Sequence, residues 1–540
     1  MDENNLEGIA KVDDSMTAGI GVAFDGAERF ERTLASWNPP SFSADLEILP
    51  DKELLDARSK DAIRNDGYMA GALQMAKNGV VGNQFKIRVT PKYKLLGKTK
   101  EWAKEFKDEM EQAFSAYAES GDNWVDASRI NNFTSLIRLA VAIHCQTGEV
   151  LASAEWIKRK DRPFATAIQI IDPDRLRNPY SSMPTELLRG GVEKDKYGAP
   201  VAYHILNHHP LDYQHTTNFT YKRVPAYKYW GRKMVLHYLE QDRASQTRGI
   251  SQLTAVLEDL HMCKKFRKIV LQNAVVQATY AAVIESDMPS EAAYQAIGAG
   301  NLGQGNYSKM VNQHLSGLAT YAENSKNMHI DGTKLVHLYP GSTLKMVAPG
   351  QGGPLGTEFE SSLLRHIAAS LGVSYEELSK DFSQSNYSSA RAAMNETWKN
   401  MQARKANIAD KLATDIYLLW LEEAMMSGRF KTITPNDAEL FYAPLGKESF
   451  GSCSWIGAGR GQIDELKETQ AAALRVSSQL STREREAAKL GTDWDDILEE
   501  LATEKQRLEE RGLSTDIESN MMNSVKGKGG QIEPRGVNNE

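Results

Sequence analysis

The sequence predicts an α+β chain, with a β-rich block set between helical segments. Three observations carry that expectation. Apolar side chains recur at helical spacing through residues 51–145 and again beyond residue 250. From Gly148 to His237 the pattern breaks into short, turn-bounded β stretches. A helical run then opens at TRGISQLTAVLEDLHMCKKFRK; at ~1.5 Å per residue, about thirty residues of it would reach roughly 45 Å, the length of a strut. A chain of 540 residues has room for about two to four domains.

Residues 1–30 are polar and glycine-containing and read as a loose arm. In SWNPPSFSADLEILP, Pro39, Pro40 and Pro50 favour an extended path, because proline pushes its predecessor toward β or polyproline geometry. Residues 51–78 read as helix, interrupted near Gly67, and VVGNQFKIRVTPKY as a strand pair or a bulged strand. A helix at 98–119 carries Trp102, Phe106, Met110 and Phe114 four apart. Another at 132–145 puts Phe133, Leu136, Ile137, Ala140, Val141 and His144 on one side. The β block reads EVLASAEWIKR, ATAIQIIDPDRL, GVEKDKYGAPVAYHILNH, TTNFTYKRVPAY and KMVLHYLE, packing as a small barrel or bent sheet.

In the long helix Leu253, Val256, Leu257, Leu260 and Cys263 share a face. KLVHLYP and TLKMVAPG read as strands within 287–350. A helix over 358–371 closes on Gly372, and Ser374-x-x-Glu377 is a capping-box signal. A fresh helix from about Ser389 runs to Met426 and stops at Gly428. Two last helices follow at 462–480 and 494–511, with cap signals at Ser481 and Thr492, and 513–540 read as disordered.

Charge and motifs narrow the function. The formal net charge is −7, whereas a protein that grips phosphates usually presents a basic surface. Cys145, Cys263 and Cys453 are far apart and form no CxxC, which argues against a disulfide framework or a structural zinc site. No apolar run approaches the ~18 residues of a membrane span. His204, His208, His209 and His215 cluster in β and turn sequence without HExxH. GVVGNQFK, APGQGGPLG and GSCSWIGAGRGQ all lack the Walker pattern; GAGRG reads as a tight turn with its arginine outward. IDPDRL and DWDD supply paired acids, but a two-metal site needs carboxylates converging from several elements, and Asp493–Asp496 suit a helix start. GxSxG is absent. These readings predict no catalytic, cofactor or metal site.

Two basic features remain. Lys264, Lys265, Arg267 and Lys268 interrupt the long helix and could face DNA or an acidic partner; the plainer reading is a solvated helix face. Arg391 sits in the first turn of a helix, where the dipole disfavours a cation, so a neighbouring surface would have to answer it. Isolated struts leave apolar surface uncovered, and oligomerisation would cover it.

Several blocks carry a resemblance: SWNPP (36–40), IRNDGYMAGALQMAKNGVVGNQFKIR (63–88), IDPDRLRNP (171–179), QTRGISQL (246–253), SLLRHIAASLGVSYEELSKDFSQSNYSSARAAMNETW (362–398), CSWIGAGRGQIDELKETQAA (453–472) and STREREAAKLGTDWDDILEELATEK (481–505). In order and spacing, over roughly 30–510, the chain resembles the lambda-like portal proteins of tailed bacteriophages. The resemblance implies a portal fold with wing, helical stem, clip and crown, assembled as a ring, usually a dodecamer, at one capsid vertex. It assigns 1–30 to a flexible arm open to processing, 31–247 to the wing, 248–285 to the first stem helix and 286–350 to the clip. It assigns 351–373 to the second stem helix, 374–461 to a long wing or channel helix with a β segment, 462–511 to crown-like helices and 512–540 to a tail.

The implied role is a conduit for double-stranded DNA, without sequence specificity, during packaging and ejection. Partners are further copies of the chain, the terminase large subunit, the major capsid protein and scaffold, and head completion and tail connector proteins. No membrane, cofactor or catalysis is implied, and the place is the virion after assembly in the host cytoplasm. On this reading Lys264, Lys265, Arg267, Lys268 and Arg391 are candidate DNA or channel contacts. The alternatives are a head-assembly protease or nuclease, and a shell or connector protein.

Overall fold

The first helix already departs from the sequence reading. In the computed structural model α1 spans Ala44–Asn65 and contains Pro50, so the extended path ends sooner than the prolines suggested. Tertiary contact outweighs the local preference: buried Asp45 accepts from the Thr247 backbone N–H at 2.8 Å and from its hydroxyl at 2.5 Å, pinning the first turn. The structure describes residues 34–179, 185–212, 220–279, 316, 329–330, 333–334, 357–383, 385–461 and 464–512. The arm at 1–30, nearly all of 286–350 with its strand-like stretches, His215 and the tail from 513 lie outside the described residues.

The break expected near Gly67 falls at Asp66, which adopts an extended conformation and caps α2 (Gly67–Val80) by accepting from the backbone N–H of Tyr68 and Met69. Residues 86–89 form one strand, β1 (Lys86–Val89), not a pair of their own. Its antiparallel partner comes from the far end of the chain, so local pattern could not reveal it.

Helix α3 (Lys100–Ala118) buries Phe106, Met110, Phe114 and Tyr117 along one face, as its spacing predicts. Helix α4 (Phe133–Thr147) is buried along most of its length, capped by Asn132 and closed by Gly148 at φ +75°. Gly148 cannot be anything else: a Cβ there would meet the Ile250 carbonyl oxygen at 2.0 Å.

The β block forms two antiparallel sheets rather than one barrel. In the first, β2 (Glu149–Trp156) lies between β3 (Thr166–Ile171) and β8 (Val235–Leu239). In the second, β4 (Leu188–Arg189), β5 (Val192–Lys194), β6 (Pro200–Leu206) and β7 (Tyr221–Pro225) pair in chain order. A turn of 3-10 helix then leads into α5 (Leu257–Thr279). Two short strands, β9 (His329–Ile330) and β10 (Thr333–Lys334), pair with each other.

After them α6 (Thr357–Leu371) ends at Gly372, and Ser374 caps α7 (Tyr375–Ser379). The long helix has two parts, α8 (Tyr387–Arg404) and α9 (Asp410–Ser427), joined by a π-helical turn at Lys405–Ala409. Lys405 is buried at that turn, donating to Asp410 at 2.7 Å and to the Trp455 carbonyl at 2.8 Å. α10 (Pro435–Phe441), α11 (Gly446–Phe450) and β11 (Cys453–Ile456) follow, the last pairing with β1. Phe114 lies near the centre of the core, its ring 5.3 Å from those of Phe133, Tyr417 and Trp420, all edge-on.

The C-terminal helices are attached differently. α12 (Glu465–Ser477) and α14 (Trp494–Glu510) bury no residue; α13 (Arg483–Lys489) buries only Ala487. Thr482 and Asp493 cap α13 and α14, one residue beyond each predicted signal. Ion pairs fasten the group to the body: Lys86 to Asp496 at 2.8 Å, Lys107 to Asp495, and Arg88 to Glu484. Behind them Glu111 accepts from the Val89 N–H at 2.6 Å, and burial pushes its carboxyl up to about 7. Because the folded state holds that proton more tightly, Glu111 lowers stability as pH rises from its ordinary value of 4.5 through 7. Glu111→Gln should therefore raise the unfolding temperature most at about pH 8, with the gain shrinking toward pH 5 in a melting series.

Candidate nucleic-acid interface

The route from sheet to long helix passes through a buried ionic junction. Glu149, at the start of β2, is 0% exposed. Arg248 donates to it from Nε at 2.9 Å and from Nη2 at 2.6 Å, Lys52 lies at 3.2 Å, and the Gly249 N–H donates at 3.0 Å. His237 on β8 approaches at 3.1 Å. Arg248 also donates to the carbonyls of Pro173, Leu176 and Gly190. Burial alone would raise the Glu149 carboxyl, but Arg248 and Lys52 outweigh it and hold it well below the usual carboxylate range. The junction fixes α1, β2, β8 and the IDPDR turn around the segment that launches α5.

From there α5 packs on α6 and α2. Leu253, Val256, Leu260 and Cys263 meet Leu364, Ile367, Ala368 and Met69 in a second core cluster, confirming the face read from the sequence. The basic cluster lies one turn further on. Lys264, Lys265 and Lys268 are exposed, whereas Arg267 is partly buried. Arg267 donates to Asp66 at 2.7 Å, lies 3.6 Å from Glu360 and sits over the Tyr68 ring at 5.0 Å. Burial opposes its charge, yet the Asp66 carboxylate and the groups around it raise its affinity for the proton. Grouping Arg267 with the lysines as a free contact is therefore corrected: its guanidinium ties α5 to the α1–α2 elbow and to α6. Met262, Ile269, Val270 and Leu271 are exposed on the same helix.

Arg391 does not join this cluster. α8 starts two residues earlier than expected, so Arg391 lies just past its first turn rather than within it; it reaches Glu468 of α12 at 3.5 Å, and the acid that answers it belongs to its own chain. The GAGRG arginine, expected to point outward, is half-buried, and Arg460 donates to Asn395.

The acidic groups weighed as metal sites are held by lysines. Asp172, Asp174 and His209 converge, but Lys60 donates to the two aspartates at 3.3 and 2.7 Å and supplies the positive charge. Asp495 and Asp496 pair with Lys107 and Lys86. Cys145, Cys263 and Cys453 are free thiols. The residues that sequence reasoning missed are Lys52, Glu149, Arg248 and Lys405. Their signal was faint: Glu149 and Arg248 are single charges beside a glycine, with about a hundred positions between them, whereas Lys52 sits inside the charged run DKE of α1 and Lys405 beside Arg404.

This arrangement defines a class. A helix pair carrying exposed lysines and uncovered apolar side chains is fixed through an ionic junction to an α+β body. The family model described as "Phage portal protein, lambda family" matches residues 30–405. The chain belongs to that family. It is 35% identical over 490 residues to the portal protein of Escherichia phage N15, covering 91% of each chain. It is 34% identical over 493 residues to portal protein B of Escherichia phage lambda, covering 90% of each. A chain from the virion of a native gene transfer agent particle is also similar, at 11% identity and a TM-score of 0.38, over 82% of this chain and 93% of that one. That last likeness is too loose to bear on function.

Proposed function

We propose that copies of this chain close into a portal ring at the capsid vertex and form a conduit for double-stranded DNA during packaging and ejection. The observation that carries this is the outer side of α5. Met262, Ile269, Val270 and Leu271 are apolar and exposed there, beside Lys264, Lys265 and Lys268. A neighbouring copy would cover the apolar residues, and a few lysines around a channel would guide a polyanion without the tight grip of a wholly basic lining.

In this reading 31–247 form the wing, α5 and α6 the stem, 286–350 the clip, 374–461 a long wing or channel helix with its β segment, and α12–α14 the crown. Terminase and the head completion and tail connector proteins dock at the ring, the major capsid protein and scaffold surround it, and the assembled place is the virion. In this reading the chain carries no chemistry of its own, which the engagement of Asp172, Asp174, Asp495 and Asp496 by lysines supports. Native mass and end-on electron images of the purified chain should show closed rings. A chain that stays monomeric under assembly conditions would overturn the reading, and an ATPase activity surviving repurification would overturn the absence of chemistry.

A further inference from the structure

The seam between the body and the C-terminal helices holds a titratable pair that the conduit reading leaves unused. A cavity of about 780 Å3 opens there, lined from α3 and β1 on one side and from the start of α14 on the other. Glu111 of α3 and Asp493, the cap of α14, both line it, and Asp493 is only 7% exposed. Two carboxylates thus share a partly buried contact between separately attached parts of the chain.

The cations of the seam are engaged elsewhere. Lys86 and Arg88 of β1 pair with Asp496 of α14 and Glu484 of α13, and Lys107 of α3 pairs with Asp495, on which Lys104 also acts. Lys107 lies 4.0 Å from Glu111, a weak reach for an ion pair, while Asp493 and Asp108 press on Glu111 with like charge. Glu119 and Glu499 add further acids to the cavity wall, and among the described residues no histidine lines it. The hydrogen bond that Glu111 accepts from the Val89 N–H stays within the body, so it does not hold α14.

We infer that Glu111 and Asp493 form a proton-operated latch: while Glu111 is protonated the C-terminal helices stay seated, and when it ionises the two carboxylates repel and the helices open from the body. The sign follows from burial. Seated, Glu111 keeps its proton up to about pH 7; as opening exposes it to water, its carboxyl moves back toward 4.5. Seating is therefore strongest near 4.5, weakens as pH rises to 7 and levels off above it. The fastening pairs do not blur this window, because Lys107 holds the Asp495 carboxyl below its ordinary value. α3 and β1 bury part of Glu111 whether or not α14 is seated, so the expected change in opening is about tenfold rather than the several-hundredfold of full exposure.

The test digests full-length wild type and Glu111→Gln side by side with trypsin, at fixed ionic strength, from about pH 5 to 8. Cleavage at Arg460, between β11 and α12, reports opening. The wild-type rate divided by the variant rate at each pH cancels the protease's own pH dependence. That ratio should be near one at the acid end and about ten at the alkaline end. Asp493→Asn keeps the cap, since asparagine caps as well as aspartate, and should bring the alkaline ratio most of the way back to one. A flat ratio would overturn the latch, as would an Asp493→Asn chain that opens as freely as the wild type, or body cleavage between 44 and 456 that rises in step. Should Glu111→Gln fail to fold, Asp493→Asn against the wild type decides: slower alkaline opening supports the latch and equal rates overturn it.

Discussion

Arg248→Met is expected to destabilise the chain by about 3–5 kcal/mol, because it leaves the Glu149 carboxylate buried beside an uncompensated gap. The substitution keeps most of the side-chain length and removes the guanidinium's donors to Glu149 and to the carbonyls of Pro173, Leu176 and Gly190. Lys52 remains at 3.2 Å but is also engaged by Asp56 at 2.9 Å and by two backbone carbonyls. The damage should appear as a lower unfolding temperature and poor soluble yield. The double variant Arg248→Met, Glu149→Gln should recover part of the loss, since no buried charge is then orphaned. A single variant as stable as the parent would show that the junction is not what holds α5 to the sheets. The pH dependence has a definite sign. Glu149's folded carboxyl is depressed, so its contribution is complete above the ordinary value of 4.5 and is lost as pH falls through the lower folded value.

The second large effect is functional. Replacing Lys264, Lys265 and Lys268 together with serine should reduce packaged DNA, or its retention in filled heads, by about tenfold or more, while native mass still reports closed rings. These side chains are exposed and make no ion pair among the described residues, so folding has little to lose. Arg267→Ser should behave in the opposite way. It removes the pair with Asp66, whose carboxylate also caps α2, and should lower stability before it alters DNA handling. Normal packaging and retention in the triple lysine variant would remove the proposed channel role.

That contrast shows what the sequence made legible. The faces of α3, α4 and the start of α5 followed from periodicity, because each helix buries one stripe. Gly372 and Gly428 marked helix ends by the left-handed backbone they adopt. The basic cluster was legible as a run of charges, but its division was not. Whether Arg267 faces water or Asp66 depends on a helix elbow some two hundred positions earlier. Separation in sequence also hid the β1–β11 pairing, which joins the two ends of the body, and the Glu149 junction, whose partners lie about a hundred positions apart. Pro50 misled in the other direction: a local rule was overridden by the Asp45–Thr247 contact, which no window around the proline contains.

The fastening of the C-terminal helices has a practical consequence. Their attachment relies on ion pairs with at least one exposed partner far more than on buried apolar area, to which Ala487 alone contributes. As ionic strength climbs from about 0.1 to 1 M, the screening distance shrinks from roughly 10 to 3 Å, and such links weaken while the aromatic core is untouched. Particles banded in concentrated caesium salts should carry these helices loosened, and proteases added at that stage should clip near residue 460 long before they reach the body. Gentle, dilute buffers are the conditions under which these helices should stay fastened to the body.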